Sequence, residues 1–252
     1  MEILCHAPLL VMVLNLSEVW GFLTESSQPG LWMMWVIGLC ASVVGMWKLT
    51  PVFQPFSTLA HEFSHALASA FTDSPIRGVK VHLDGSGVTE HYGSEGLKRV
   101  FITCAGYPGP VVLGVSMLLL QTDYPRIVAF ILIALSLWLL LLSRSVFTIV
   151  VSLVTVFLMG SMMLMPLPVV STVLLLIGGM LAGMGLWETV QALHVNKMRK
   201  IHGGEGMSDW ETLESIVGGS SVFWSWVFIV IVSVMIGGSI LFVSSQGFYM
   251  LW

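Results

Sequence analysis

Along the chain, apolar tracts of about twenty residues alternate with short polar links. Tracts near 31–47, 51–71, 100–121, 127–143, 145–165, 169–190 and 222–245 are each long enough to cross ~30 Å of hydrocarbon, allowing for tilt and interfacial ends. The pattern predicts an all-α polytopic membrane protein with six to seven transmembrane helices. Arg144 divides one long tract in two, and Pro166-Leu167-Pro168 separates two more. Two polar segments break the rhythm. In 72–99, Val79-Lys80-Val81-His82-Leu83 and Val88-Thr89-Glu90-His91-Tyr92 alternate apolar and polar around Asp84-Gly85-Ser86-Gly87, which predicts a short β-hairpin. In 191–221, Ser208 followed three residues later by Glu211 is a capping box opening a new helix. This second segment is expected to be cytoplasmic or re-entrant. Residues 1–30 read as an interfacial or re-entrant lead-in. No internal repeat or second domain is visible, so 1–252 reads as a single integral membrane domain.

Composition strengthens the membrane reading. Of 252 residues, 56% are hydrophobic and 10% charged, against about 25% charged in an ordinary soluble domain. A soluble core does not explain that deficit. The net charge of -4 gives no general attraction to nucleic acid. Cys5, Cys40 and Cys104 show no metal-binding spacing, which predicts free buried thiols and neither a disulfide framework nor zinc ligands. Glu2 precedes the first apolar stretch and no basic n-region exists, unlike a cleavable signal peptide. Basic residues set the orientation. With 72–99 in the cytoplasm, Arg77, Lys80, Lys98, Arg99, Arg144, Lys197, Arg199 and Lys200 lie inside, and Lys48 and Arg126 lie outside. The helix before the hairpin and the segment around Asp209 then meet the same membrane face.

Chemistry enters at His61-Glu62-Phe63-Ser64-His65. Residues four apart share a helix face, so both imidazoles can reach one metal, with Glu62 beside it as general base. Charged groups in a membrane helix are costly, about 2.5–3.5 kcal/mol near the centre on insertion scales, and usually line a functional cavity. Two neutral His nitrogens and a third protein ligand would hold one Zn²⁺ and leave a position for water, made acidic enough to react near neutral pH. A bland alternative is a packing cluster in which the histidines bond neighbouring backbone. For the third ligand Asp209 is favoured, since its segment returns on the correct side. Asp84 is the rival, although a glycine-rich turn explains it more simply. His91 and Glu188 are weaker candidates, more simply hairpin surface and helix end. Ala105-Gly106-Tyr107-Pro108-Gly109-Pro110 would loosen its helix, either to pack closely on the motif helix or merely to kink. Gly178-Gly179, Gly183 with Gly185, and Gly237-Gly238 read as packing faces.

His61-Glu62-Phe63-Ser64-His65-Ala66, the hairpin with Gly85-Ser86-Gly87, the glycine-proline string and Ser208-Asp209 occur in an order that resembles the site-2 protease family of intramembrane zinc metalloproteases, specifically its compact branch without a PDZ insertion. The resemblance spans roughly 50–245. It implies cleavage of a transmembrane protein substrate in the bilayer, one zinc per chain held by His61, His65 and Asp209, and Glu62 as catalytic acid/base. A small chain with no targeting presequence favours a bacterial inner membrane, and the bias of basic residues turns the site toward the cytoplasm. One departure stands out: the Asn-x-x-Pro…Leu-Asp-Gly arrangement of better-known members is missing from the later spans, and the one Leu-Asp-Gly is at 83–85. The competing functions are an inactive protease-like scaffold and a zinc-binding or transporting membrane protein. The sequence specifies neither a substrate nor an oligomeric state.

Overall fold

The computed structural model describes residues 32–83, 85–92, 95–120, 124–202 and 208–249. The lead-in 1–30, Cys5 and Asp84 lie outside them. In chain order the elements are α1 (Trp32–Lys48), α2 (Thr50–Phe71), β1 (Ile76–Val81), β2 (Gly87–His91), α3 (Gly96–Ala105), α4 (Pro108–Leu120), α5 (Pro125–Leu142), α6 (Val146–Met162), α7 (Leu167–His202), α8 (Asp209–Val217) and α9 (Ser221–Tyr249).

Lipid is as apolar as leucine, so helices in it associate through close packing and satisfied polar groups. The core joining α1, α4, α7 and α9 is built that way. Trp35, Val111, Leu118, Leu175, Ala182, Val232 and Ile236 bury there. The Trp35 indole N–H donates to the Gly114 carbonyl at 3.0 Å. Gly179 and Gly183, one helical turn apart on α7, let α1 approach so closely that a Cβ on either would run into α1 backbone or the Ser42 hydroxyl. Gly237 and Gly238 differ: no described atom lies within 4 Å of a Cβ built on either, so they are not the packing face expected of them. Cys40 and Cys104 are free, as expected, but not buried: Cys40 is exposed and Cys104 half-buried. In a bilayer a thiol behaves as a small hydrophobe, so burial in protein is not required of it.

Two elements depart from the hydropathy reading. The tract 169–190 does not end at 190: α7 continues through His202 as one 36-residue helix. Residues 191–202 hold no glycine or proline, so the helix outlasts the apolar run that marked it. The tract 100–121 is bent by 65° between α3 and α4, at the glycine-proline string. Among the described residues three helices, α5, α7 and α9, are long and apolar enough to cross a membrane alone, and the bent α3–α4 pair makes four. The shorter apolar α1 and α6 fall below that length, so the described residues support three to four crossings by length and composition, where six to seven were expected.

The hairpin forms as predicted, with shifted strands. Val79 pairs with Thr89 and Val81 with Gly87, and the register slips between Ile76 and Gly78. Gly85 takes φ +82 in the turn, a left-handed conformation natural to glycine. The α5–α6 turn covers the outer edge of β1. Arg144 N–H donates to the Val79 carbonyl at 2.9 Å, and Ser145 Oγ donates to the Val81 carbonyl at 2.7 Å. Among the described residues no strand pairs with the outer edge of β2.

Candidate metal centre

Helix α2 carries the motif, and four other elements close around it. His61 and His65 stand on one face, as the four-residue spacing requires. His65 Nδ1 lies 2.7 Å from the Ile102 carbonyl of α3. A carbonyl only accepts, so Nδ1 carries the proton and Nε2 keeps its lone pair for another partner. His61 Nδ1 faces Glu188 Oε2 of α7 at 3.4 Å. Both Nε2 atoms thus point inward, 3.0 Å apart.

Asp209 Oδ2 meets them, 3.0 Å from His61 Nε2 and 3.1 Å from His65 Nε2. Three lone-pair-bearing atoms this close repel unless a proton or a cation lies among them. Tetrahedral zinc with bonds of about 2.0–2.2 Å sets its ligand atoms roughly 3.3–3.6 Å apart, a small expansion of what is seen. The donor set of two imidazoles and one carboxylate suits that ion; His65, its other nitrogen held by a carbonyl, has the usual form of such a ligand, and Glu188 stands opposite His61 Nδ1 at 3.4 Å without a hydrogen bond. Gly106 leaves the space open: a Cβ there would lie 2.5 Å from His65 Nε2 and 2.6 Å from His61 Nε2. Of the two alternatives for the glycine-proline string, close packing on the motif helix is met, and the helix is bent there as well.

Asp209 is the first residue of α8. Ser208 caps the helix: its hydroxyl accepts from Glu211 N–H, and Glu211 Oε2 accepts from Ser208 N–H at 2.7 Å, completing the predicted capping box. On the other side, Trp210 is fully buried, stacked 4.4 Å from Tyr107 and packed on Phe228 of α9. Tyr107 in turn sets its ring edge-on to His61, centroids 4.6 Å apart.

Glu62 is buried, on the side of α2 that faces the hairpin. Thr89 Oγ1 of β2 lies 2.8 Å from Glu62 Oε2 and from its backbone carbonyl. Gly87 allows this approach, since a Cβ there would press on Thr58 and on Glu62 Cγ. Two cavities, of about 390 and 550 Å³, share His61, Glu62, Gly87, Tyr107 and Ser208 in their walls.

His61, His65 and Asp209 are thus brought together, with Glu62 alongside. His91, the weaker ligand candidate, lines the larger cavity but does not join the converging atoms. Partial burial, together with the nearby His65 and Arg99, holds its pKa below the ordinary imidazole range. Glu188 is no ligand at this centre and no helix end: it sits in the middle of α7 against His61. The sequence reading gave Thr89 no part beyond the hairpin and gave Asn196 none. The signal for Glu188 was available, since a lone acid inside an apolar tract is itself conspicuous.

Membrane-type helices gathered around two histidines, an aspartate and a glutamate are the frame of a membrane metallopeptidase. A sequence profile described as Peptidase M50B-like matches residues 30–239, and the chain belongs to that family, the site-2 protease family of zinc-dependent metalloproteases. No curated protein and no solved structure matches it.

Proposed function

We propose that this protein is an intramembrane zinc metalloprotease that hydrolyses peptide bonds within or near transmembrane segments of membrane proteins. The observation that carries the reading is the convergence of His61 Nε2, His65 Nε2 and Asp209 Oδ2 beside the buried carboxylate of Glu62. In it, His61, His65 and Asp209 hold the ion. Zinc bound there supplies Lewis acidity, lowering the pKa of water and polarising a peptide carbonyl. Glu62 takes the water proton and returns it to the leaving amine.

Peptide bonds in a helix are shielded by their own hydrogen bonds, so a substrate must unwind locally before attack. The edge of β2 that no described strand pairs lies where such a segment would pass, since Gly87, Val88 and Thr89 line the larger cavity together with the motif. The outer edge of β1 is already covered by Arg144 and Ser145. An extended substrate therefore adds to β2 by strand pairing. In this reading the site faces the cytoplasm of a bacterial inner membrane, an orientation that the bias of basic residues supports. Arg144 supports it, lying against the hairpin with Nη2 donating to the Arg77 carbonyl at 3.5 Å.

The test is Glu62→Gln in the purified chain, assayed with a transmembrane substrate in vesicles. Zinc content is expected to stay at the wild-type level while cleavage falls to background. Full cleavage by that variant would end the protease reading. Cleavage by neither protein, with zinc bound by both, would favour a metal-binding scaffold.

A further inference from the structure

We propose that Asn196 is the positioning residue for Asp209, acting through the hydroxyl of Ser208. The inference rests on the metal-centre reading above. Asn196 is fully buried on α7, where an amide without partners would be costly. Its Oδ1 accepts from Ser208 Oγ at 2.9 Å, and its Nδ2 donates to Ser225 Oγ of α9 at 3.1 Å. Ser225 Oγ passes its own proton to the Ser221 carbonyl at 2.8 Å. The carboxamide thus spans three helices, and both its ends are used.

Ser208 is the residue just before Asp209. Its hydroxyl donates to Asn196 and accepts from Glu211 N–H, so its rotation is fixed from two directions. Trp210, just after Asp209, is held by stacking on Tyr107. A ring stack resists separation but permits sliding, whereas a hydrogen bond to a buried amide sets direction. Ligand distances at a metal tolerate only about ±0.2 Å. The Asn196–Ser208 bond supplies that tolerance at the start of α8, where neither imidazole can. Its position two turns beyond Glu188 gives α7 a second hold: one residue orients a histidine, the other the aspartate.

The experiment uses the full chain in detergent, with zinc affinity measured by chelator competition and the visible bands of the Co²⁺-substituted protein as a geometric readout. Asn196→Leu and Ser208→Ala are each expected to weaken zinc binding roughly 10- to 100-fold and to shift the Co²⁺ bands. Ser208→Thr, which keeps the hydroxyl, is expected to match the wild type in both. A folded Asn196→Leu protein with wild-type affinity and unchanged bands overturns the proposal. Should that variant fail to fold, Ser208→Ala decides on the same terms. A wild-type chain that takes up no zinc would instead overturn the parent reading.

Discussion

The Thr89 hydroxyl lies 2.8 Å from a carboxylate oxygen of Glu62, tying the hairpin strand β2 to the motif helix α2. Thr89 Oγ1 is equally close to the Glu62 backbone carbonyl, so its single proton is shared between these two acceptors of one residue. A carboxylate free to rotate would present its proton-handling oxygen only part of the time. The tie also seats β2, the strand with the open edge, directly over the site.

Thr89→Val tests that tie with almost no change of shape. A hydrogen bond to a charged group is worth about 1.5–3 kcal/mol, which corresponds to a drop in kcat of roughly 10- to 100-fold. Zinc content is expected to stay unchanged, because the threonine touches no ligand. Steady-state kinetics alongside metal analysis separate the two effects, and an unaltered kcat would leave Thr89 a purely structural contact.

Gly106 is expected to tolerate no side chain. A methyl group there overlaps both imidazole rings, so Gly106→Ala should displace His61 or His65 and leave the purified protein with much less than one zinc per chain after dialysis. Metal analysis gives the answer. Wild-type zinc content would mean that the bend between α3 and α4 opens easily.

Glu188→Gln removes the charge facing His61 Nδ1 while keeping the size of the side chain. Groups that orient metal ligands typically contribute roughly 10- to 100-fold in affinity, and a loss within that range is expected by chelator competition. Equal affinities for Glu188→Gln and wild type would show that the Ile102 and Asp209 contacts orient the histidines unaided.

On the hairpin, the Lys80 ammonium lies 2.7 Å from Glu90 Oε1 and, with help from Arg77, holds the Glu90 carboxyl below the usual carboxylate range. The folded pKa is the lower one, so any stabilisation is present above the unfolded value of about 4.3 and is lost as pH falls through the folded value. Such an exposed pair contributes little and is screened by salt. The expected result of an NMR titration is a Glu90 midpoint that rises in Lys80→Ala. An unmoved midpoint would assign the shift to Arg77 and Arg144.

Much of this centre was legible in the order of residues. The four-residue spacing of His61 and His65 dictates a shared helix face, and the Ser208–Glu211 capping box announced a helix beginning at Asp209. The glycine at 106 marked a place where backbone comes close. Hydropathy located α7 but misjudged its end, because the end of an apolar run is not the end of a helix. The hairpin was visible from alternation, yet alternation does not say which face meets the motif helix, and so the contact of Thr89 with Glu62 went unnoticed.

By itself, then, the sequence determined what depends on near neighbours: apolar tracts suited to lipid, a two-histidine helix face, a cap and a glycine turn. Only the tertiary structure decided which carboxylates face the imidazoles. Asp209 lies 144 residues from His65 along the chain, and Glu188 and Asn196 come to the site on a helix whose course is set by its packing against α1 and α4. Local preference acts over a few residues through backbone geometry. Contacts across such separations exist only after close-packed helices have chosen their crossings, and it is small residues such as Gly106, Gly179 and Gly183 that let the backbones come near enough.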